Sequence, residues 1–397
     1  MPKLDWKSER ISKGNIAVIA LLFNTFSWFY LCRLTIGKLG CDAVIYLTSI
    51  VVSSIVGVFF LKKTKRLLVL KIWVVSGVLA SLSTIFFAKC LLEWGIIFTF
   101  LLGVSLGFAM PFCLDLLTKV STVENRGKIG GAVLFATFSV VFILYKSVLS
   151  LDLASTGIFL ALWRCWSLPS VFLFLEKMFR EDNYHQKTQR LALGLGKRTI
   201  LLYFIAWMMF SFIDSFQTIV MNTKAEDFAL FIKVIEPCVA GISAVVIGAI
   251  SDVVGRKRVL ISSFALLGIA YAMLGLFPRS YIAWLIYSII NGAAIGSASV
   301  LLIIVIWGEV AEENSVTFYA IGEAPFFIAE ASSLILKPYL ISIPSNSSFS
   351  LASFFLFIAV ILLLFAPETL PEKTLREREL RGYIEKAKKV REKFTKG

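Results

Sequence analysis

Apolar runs about as long as a bilayer is thick recur along the whole chain, and they constrain its fold more than any other feature. They fall near 15–36, 42–61, 67–88, 94–117, 128–150 and 154–175, and after a polar stretch near 199–221, 228–250, 259–277, 281–306, 316–340 and 348–366. About 20 apolar residues suffice for a helix to cross the hydrocarbon core. The pattern therefore predicts an all-α membrane protein with twelve transmembrane helices. The tightest division lies around Leu149–Ser155, where only a few residues turn the chain. Only 17% of residues are charged and 58% are hydrophobic, whereas a soluble domain carries about 25% charged residues. That excludes a large soluble enzyme, a disordered chain and a nucleic-acid-binding domain, despite a net charge of +14.

The positive charge is instead a topology signal. With a cytoplasmic N-terminus, about 30 of the 40 Lys and Arg residues fall on the inner side, as the positive-inside rule requires. Both termini are then cytoplasmic, in a multi-pass protein of the cell membrane. The polar start, MPKLDWKSERISKG, leads into a full-length apolar run with no small-residue cleavage site, so the first run reads as a retained helix. Cys32, Cys41, Cys90, Cys113, Cys165 and Cys238 are scattered without a CxxC, and read as small buried apolar residues. Cys32, Cys41 and Cys90 leave an outer disulfide open. Neither a metal nor a cofactor is expected. The single histidine, His185, lies in a polar loop beside Asp182 and Lys187.

That loop separates two groups of six runs. The expected units are residues 1–176, a linker at 177–198, a second bundle at 199–366, and a basic tail at 367–397. The tail carries a ragged apolar stripe at helical spacing, which suits an amphipathic helix on the membrane surface. The two bundles repeat weakly. FLLGVSLGFAMPF in the fourth run stands opposite IINGAAIGSASVL in the tenth, which pairs Gly103 and Gly107 with Gly292 and Gly296. Glycines four apart share a helical face and let another backbone approach, which would permit rocking between bundles. GAISDVVGRKR after the eighth run contains Gly248, Asp252, Gly255, Arg256 and Lys257, more than a basic topology signal needs. Asp252 can accept hydrogen bonds at a neighbouring helix start, and Arg256 can clamp a carboxylate.

At these residues the chain resembles the major facilitator superfamily. GAISDVVGRKR is similar to its cytoplasmic loop signature, with Val253 where Arg is frequent. ENRGKIGG, with Glu124 and Arg126, stands where the family has an acidic–Arg–Gly element. APETLPEKTL resembles the Pro-Glu-Thr element of the sugar-porter and organic-ion branches. The first-half loop departs from the pattern, with Leu61 and Thr64 where Asp and Gly are usual, and WGEVAEEN carries Glu309, Glu312 and Glu313 but no Arg. The resemblance implies two six-helix bundles related by a pseudo-two-fold axis, with a solute site between them near the midplane. It also implies that Asp252 and Arg256 engage Glu124, Arg126 or the start of the fifth helix when the site faces outward.

Charged groups inside a bilayer are costly and usually face a cavity or a partner. Asp214, Glu236 and Glu330 are the leading candidates for solute or proton binding. Gln217 lies three residues from Asp214, and Glu323 two turns from Glu330. Lys233 could pair with Glu236, and Lys146 with a facing acid. Asn24, Trp28 and Asn291 are polar or stacking candidates, and Arg164 has no evident partner. The leading expectation is a monomeric secondary or facilitative transporter of a small polar solute, such as a sugar symporter, with proton coupling left open. A proton-driven exporter of organic cations and a non-transporting sensor on the same fold are the alternatives. No clustered His, paired-Asp or Ser–Lys arrangement supports an enzyme.

Overall fold

The computed structural model describes residues 13–39, 43–87, 95–181, 197–224, 226–228, 230–311 and 315–370. Among them the secondary structure is helical, with no strand. The long helices are α1 (Lys13–Leu39), α2 (Ala43–Lys63), α3 (Arg66–Phe87), α4 (Gly95–Val120), α5 (Arg126–Ser150) and α6 (Leu153–Phe179). They are followed by α7 (Lys197–Lys224), α8 (Phe231–Val254), α9 (Arg256–Leu276), α10 (Tyr281–Val310), α11 (Ser315–Ile335) and α12 (Ser345–Phe365).

Eleven helices among the described residues are long and apolar enough to cross a membrane. The other, α11, matches α9 and α12 in length but carries Glu323, Glu330 and an internal proline, Pro325. It is also shorter than the apolar run expected at 316–340, because Lys337–Ser342 forms a separate short helix. The narrow division between α5 and α6 falls at Leu151 and Asp152. The Asp152 side chain caps α6 by accepting from Ser155 N at 3.3 Å, and this bonding to Ser155 holds its carboxyl below the usual aspartate value.

Helix packing repeats with an offset of six. In the first half α2 packs on α4, α3 on α4 and α6, and α1 on α5 and α6; in the second half α8 packs on α10, α9 on α10 and α12, and α7 on α11 and α12. The halves meet along a seam made mainly by α5 against α8 and α2 against α11. Large apolar side chains such as Phe59, Ile143, Leu162, Trp166, Leu276 and Phe365 are exposed on the outside. A soluble monomer rarely leaves so much apolar surface uncovered, and a bilayer is its natural cover.

The glycine pairs of the fourth and tenth runs seat helices within each half, not at the seam. A Cβ on Gly103 would lie 2.5 Å from the Tyr46 carbonyl oxygen of α2, and one on Gly107 2.2 Å from that of Ile50. In the second half, Gly292 and Gly296 would meet the carbonyls of Glu236 and Ala240 of α8, each at 2.6 Å. The glycines that bring the halves together are others. Gly127 and Gly248 face each other across α5 and α8, and a Cβ on Gly131 would lie 2.3 Å from the Ala244 carbonyl oxygen.

Candidate functional site

The seam is closed at the end where α5, α9 and α11 begin. Asp252, fully buried on the last turn of α8, accepts from the backbone N–H of Gly127 at 3.0 Å and of Lys128 at 2.8 Å. These are two of the orphan donors at a helix start, where the dipole favours an anion. Arg256, also fully buried, donates Nη1 to Asp252 at 2.5 Å and Nη2 to the Val123 carbonyl at 2.8 Å. Its Nη2 also reaches Glu309 of α10 at 3.1 Å. Gly255 makes the turn between α8 and α9 possible. It has φ of 112°, and a Cβ there would sit 2.5 Å from the Glu368 carboxylate.

The segment after α12 completes this layer. Glu368 accepts from the N–H of Arg256 at 2.8 Å, capping α9, and Thr369 donates to Glu309 at 2.7 Å. The Lys257 ammonium donates to the Leu364 carbonyl at 2.8 Å. Arg126 turns inward to Ser121 Oγ at 3.2 Å and lies 4.0 Å from Glu309. Glu124 is exposed, and its neighbour Val123 supplies the carbonyl that Arg256 uses. Glu309 is thus the shared acid of the layer. Sequence reasoning noted it only for lacking a basic neighbour, which Arg256 supplies from another helix.

Across the seam from this layer, α2 has no acid at Leu61. Asp115 of α4, only 2% exposed, accepts instead from the hydroxyl of Ser315, the first described residue of α11. It also pairs with Lys119 at 2.8 Å. Two buried aspartates therefore hold two helix starts of the opposite half.

The other end of the seam is open. A cavity of about 620 Å³, a size in the range usual for small-molecule pockets, is lined by Tyr30, Arg33 and Gly37 of α1, Tyr145 of α5 and Asn222 of α7. At its floor Arg33 pairs with Glu330 of α11, joining the two halves. Asp214 of α7 lies within electrostatic range of both. Glu236 of α8 follows, hydrogen-bonded by Asn291 of α10 and with Oε2 unpartnered. Below Arg33 a second cavity of about 60 Å³ lies between the halves, lined by rings of α1 and α11 and by Glu323.

The remaining candidates lie elsewhere. Gln217 donates to Ser348 of α12, at 2.8 Å to its hydroxyl, inside the second half. Lys233 and Lys146 are exposed. Among the described residues Lys233 forms no ion pair with Glu236, and Lys146 none with any acid. Asn24 and Trp28 turn into the first half, where Arg164 occupies them. The fully buried Arg164 donates to Asn24 Oδ1 at 3.2 Å and Thr25 Oγ1 at 3.0 Å. Its guanidinium also lies over the rings of Trp28 (4.9 Å) and Trp73 (4.4 Å). Desolvated cation–π contacts contribute about 2 kcal/mol. Arg164→Ala is expected to cost about 3 kcal/mol through the cavity left between the rings, read as a lowered thermal midpoint in detergent. Cys32 and Cys113 are buried free thiols. Cys41, Cys90, His185 and residues 371–397 of the tail lie outside the described residues.

The geometry defines a helical membrane protein with a buried polar layer at one end of its central seam and a cavity at the other. Residues 199–395, the C-terminal half, match the family model described as Major Facilitator Superfamily. No curated protein sequence matches the chain. Among solved structures, the human organic anion transporter MFSD10 (TETRAN) is similar at 14% identity and a TM-score of 0.61, covering 88% of this chain and 98% of its own. The proton:xylose symporter XylE bound to a bromodeoxyglucose is similar at 16% identity and 0.62, covering 90% and 96%. A double-tryptophan variant of XylE gives 14% and 0.65, covering 89% and 95%. The C-terminal half thus matches the major facilitator superfamily model, the chain shares the fold of the transporters above, and it is a multi-pass membrane protein.

Proposed function

We propose that this protein is a secondary transporter that moves a small polar solute across the cell membrane by alternating access. In this reading α1–α6 and α7–α12 are two six-helix bundles related by a pseudo-two-fold axis, and α11 is the twelfth span. Both termini are cytoplasmic, so the Asp252–Arg256–Glu309 layer is an inner latch and the Arg33 cavity opens outward. The observation that carries the reading is this asymmetry: a seam latched at one end, with a solute-sized cavity at the other that is lined by Arg33, itself paired with Glu330.

The neighbours do not select a substrate, since one is a proton:xylose symporter and another an organic anion transporter. The local charge supports a second reading. Among the described residues, Asp214 and Glu330 share the cation Arg33, an arrangement that favours taking up a proton or an organic cation over an anion. A thermal-stability screen against sugars, organic acids, amino acids and organic cations separates these. A ligand at about 100 times its Kd stabilises the native state by about 2.7 kcal/mol. Stabilising ligands are expected to exchange across proteoliposome membranes. Binding without flux for every such ligand would replace the transporter with a sensor on the same fold.

A further inference from the structure

We propose that Glu323 is the group that carries the coupled proton, held neutral between the bundles while the inner latch is closed. The proposal rests on the transporter reading and assigns its coupling residue. Glu323 is 3% exposed, and both of its carboxylate oxygens are buried without a hydrogen-bond partner. An ionised carboxylate in such a place bears the full cost of lost hydration. A protonated one avoids most of that cost.

The surroundings offer no counter-charge. Glu323 lines the small central cavity beside Phe29, Tyr30, Phe326 and Phe327, whose rings pack edge to face across the seam, Phe29 on Phe327 at 5.7 Å. From α1 the ionisable groups are Tyr30, the buried thiol of Cys32 and Arg33, and Arg33 is held by Glu330. Tyr46 comes from α2, and Cys113 and Asp115 from α4, with Asp115 engaged by Lys119 and Ser315. From α7 come Tyr203, bonded to the Pro367 carbonyl, and Asp214. From α10 comes Glu309, bound by Arg256, and α11 itself adds Tyr319, bonded to the Ile304 carbonyl. Among the described residues no cation pairs with Glu323. Glu330, by contrast, has Arg33 as its counter-charge.

Position makes the site accessible in turn from each side. Tyr30 lines both the open cavity and the central one, so a proton reaches Glu323 past a single ring. The central cavity has room for a few waters, at about 10–15 Å³ of such volume each, and for no larger solute. Glu323 stands eight residues into α11, about 12 Å from the latched end. Release of Ser315 from Asp115 would admit water from that side, and the hydrated carboxylate would then give up its proton there.

Infrared difference spectroscopy of the protein in nanodiscs tests this without a known solute. The carbonyl stretch of a protonated carboxylic acid is expected at neutral pH, reduced by one acid's intensity in Glu323→Gln. Should Glu323→Gln fail to fold, Glu323→Asp is expected to shift that band. Full intensity in Glu323→Gln or an unshifted band in Glu323→Asp would overturn the assignment. Once a solute is known, Glu323→Gln should keep exchange and lose proton-driven accumulation. Absence of flux in the unaltered protein would instead defeat the transporter reading and leave the infrared result standing.

Discussion

Replacing Asp252 with asparagine is expected to close the cavity at Arg33 and slow transport at least tenfold, while solute affinity stays within a few fold. Asp252 holds the α5 start through two backbone N–H groups and neutralises part of a fully buried Arg256. Removing one partner of a buried ion pair costs about 3–5 kcal/mol. That cost falls only on the latched state, so its population relative to the other state drops by about a hundredfold or more. Asn222, exposed at the cavity mouth, gives the readout. With Cys41, Cys90 and Cys238 changed to serine, a cysteine at position 222 should react with an impermeant thiol reagent in the parent and far more slowly in Asp252→Asn. Gly248→Val should act alike without touching a charge, because its Cβ would stand 2.3 Å from the Gly127 carbonyl oxygen. Equal labelling in all three proteins would show that this layer does not set which end is open.

The parts of this architecture that a membrane imposes on any sequence were readable from the residues. Each bilayer crossing demands a long apolar run, and a helix start held by a buried acid demands a glycine turn, an aspartate and a basic group at short spacing. Facing was not readable, because it depends on helices far away in the chain. Asn24 and Trp28 lie on α1 as a solute contact would, yet Arg164, some 140 residues on, takes both. Glycines spaced four apart lie at close helix crossings, but their spacing does not say which helix crosses. Arg33 went unnoticed because a base six residues before the end of α1 passes for an ordinary end-of-span charge. Its partner is 297 positions away. Asp115 compensates for the aspartate missing at Leu61 from a different helix, so no comparison of the two loops could have found it.

Arg33 also sets the other large effect. Arg33→Leu and Glu330→Gln are each expected to lower flux about tenfold or more. The Arg33 side chain is 43% exposed toward the cavity while Glu330 is 11% exposed, so the pair is anchored by the acid and presented by the base. Without Arg33, Glu330 and Asp214 face each other with no cation between them, and one must take a proton to coexist. The exchanged pair, Arg33→Glu with Glu330→Arg, restores the link between α1 and α11. Residues in contact show coupling of about 0.5–3 kcal/mol in double-mutant cycles. The exchanged protein should therefore recover several-fold to a hundredfold over the product of the single losses. Strictly additive losses would mean that the two charges act independently, each on the solute. The pair would then be a binding surface that happens to close on itself when empty, and the link between bundles would rest on the aromatic contacts of α1 and α11 alone.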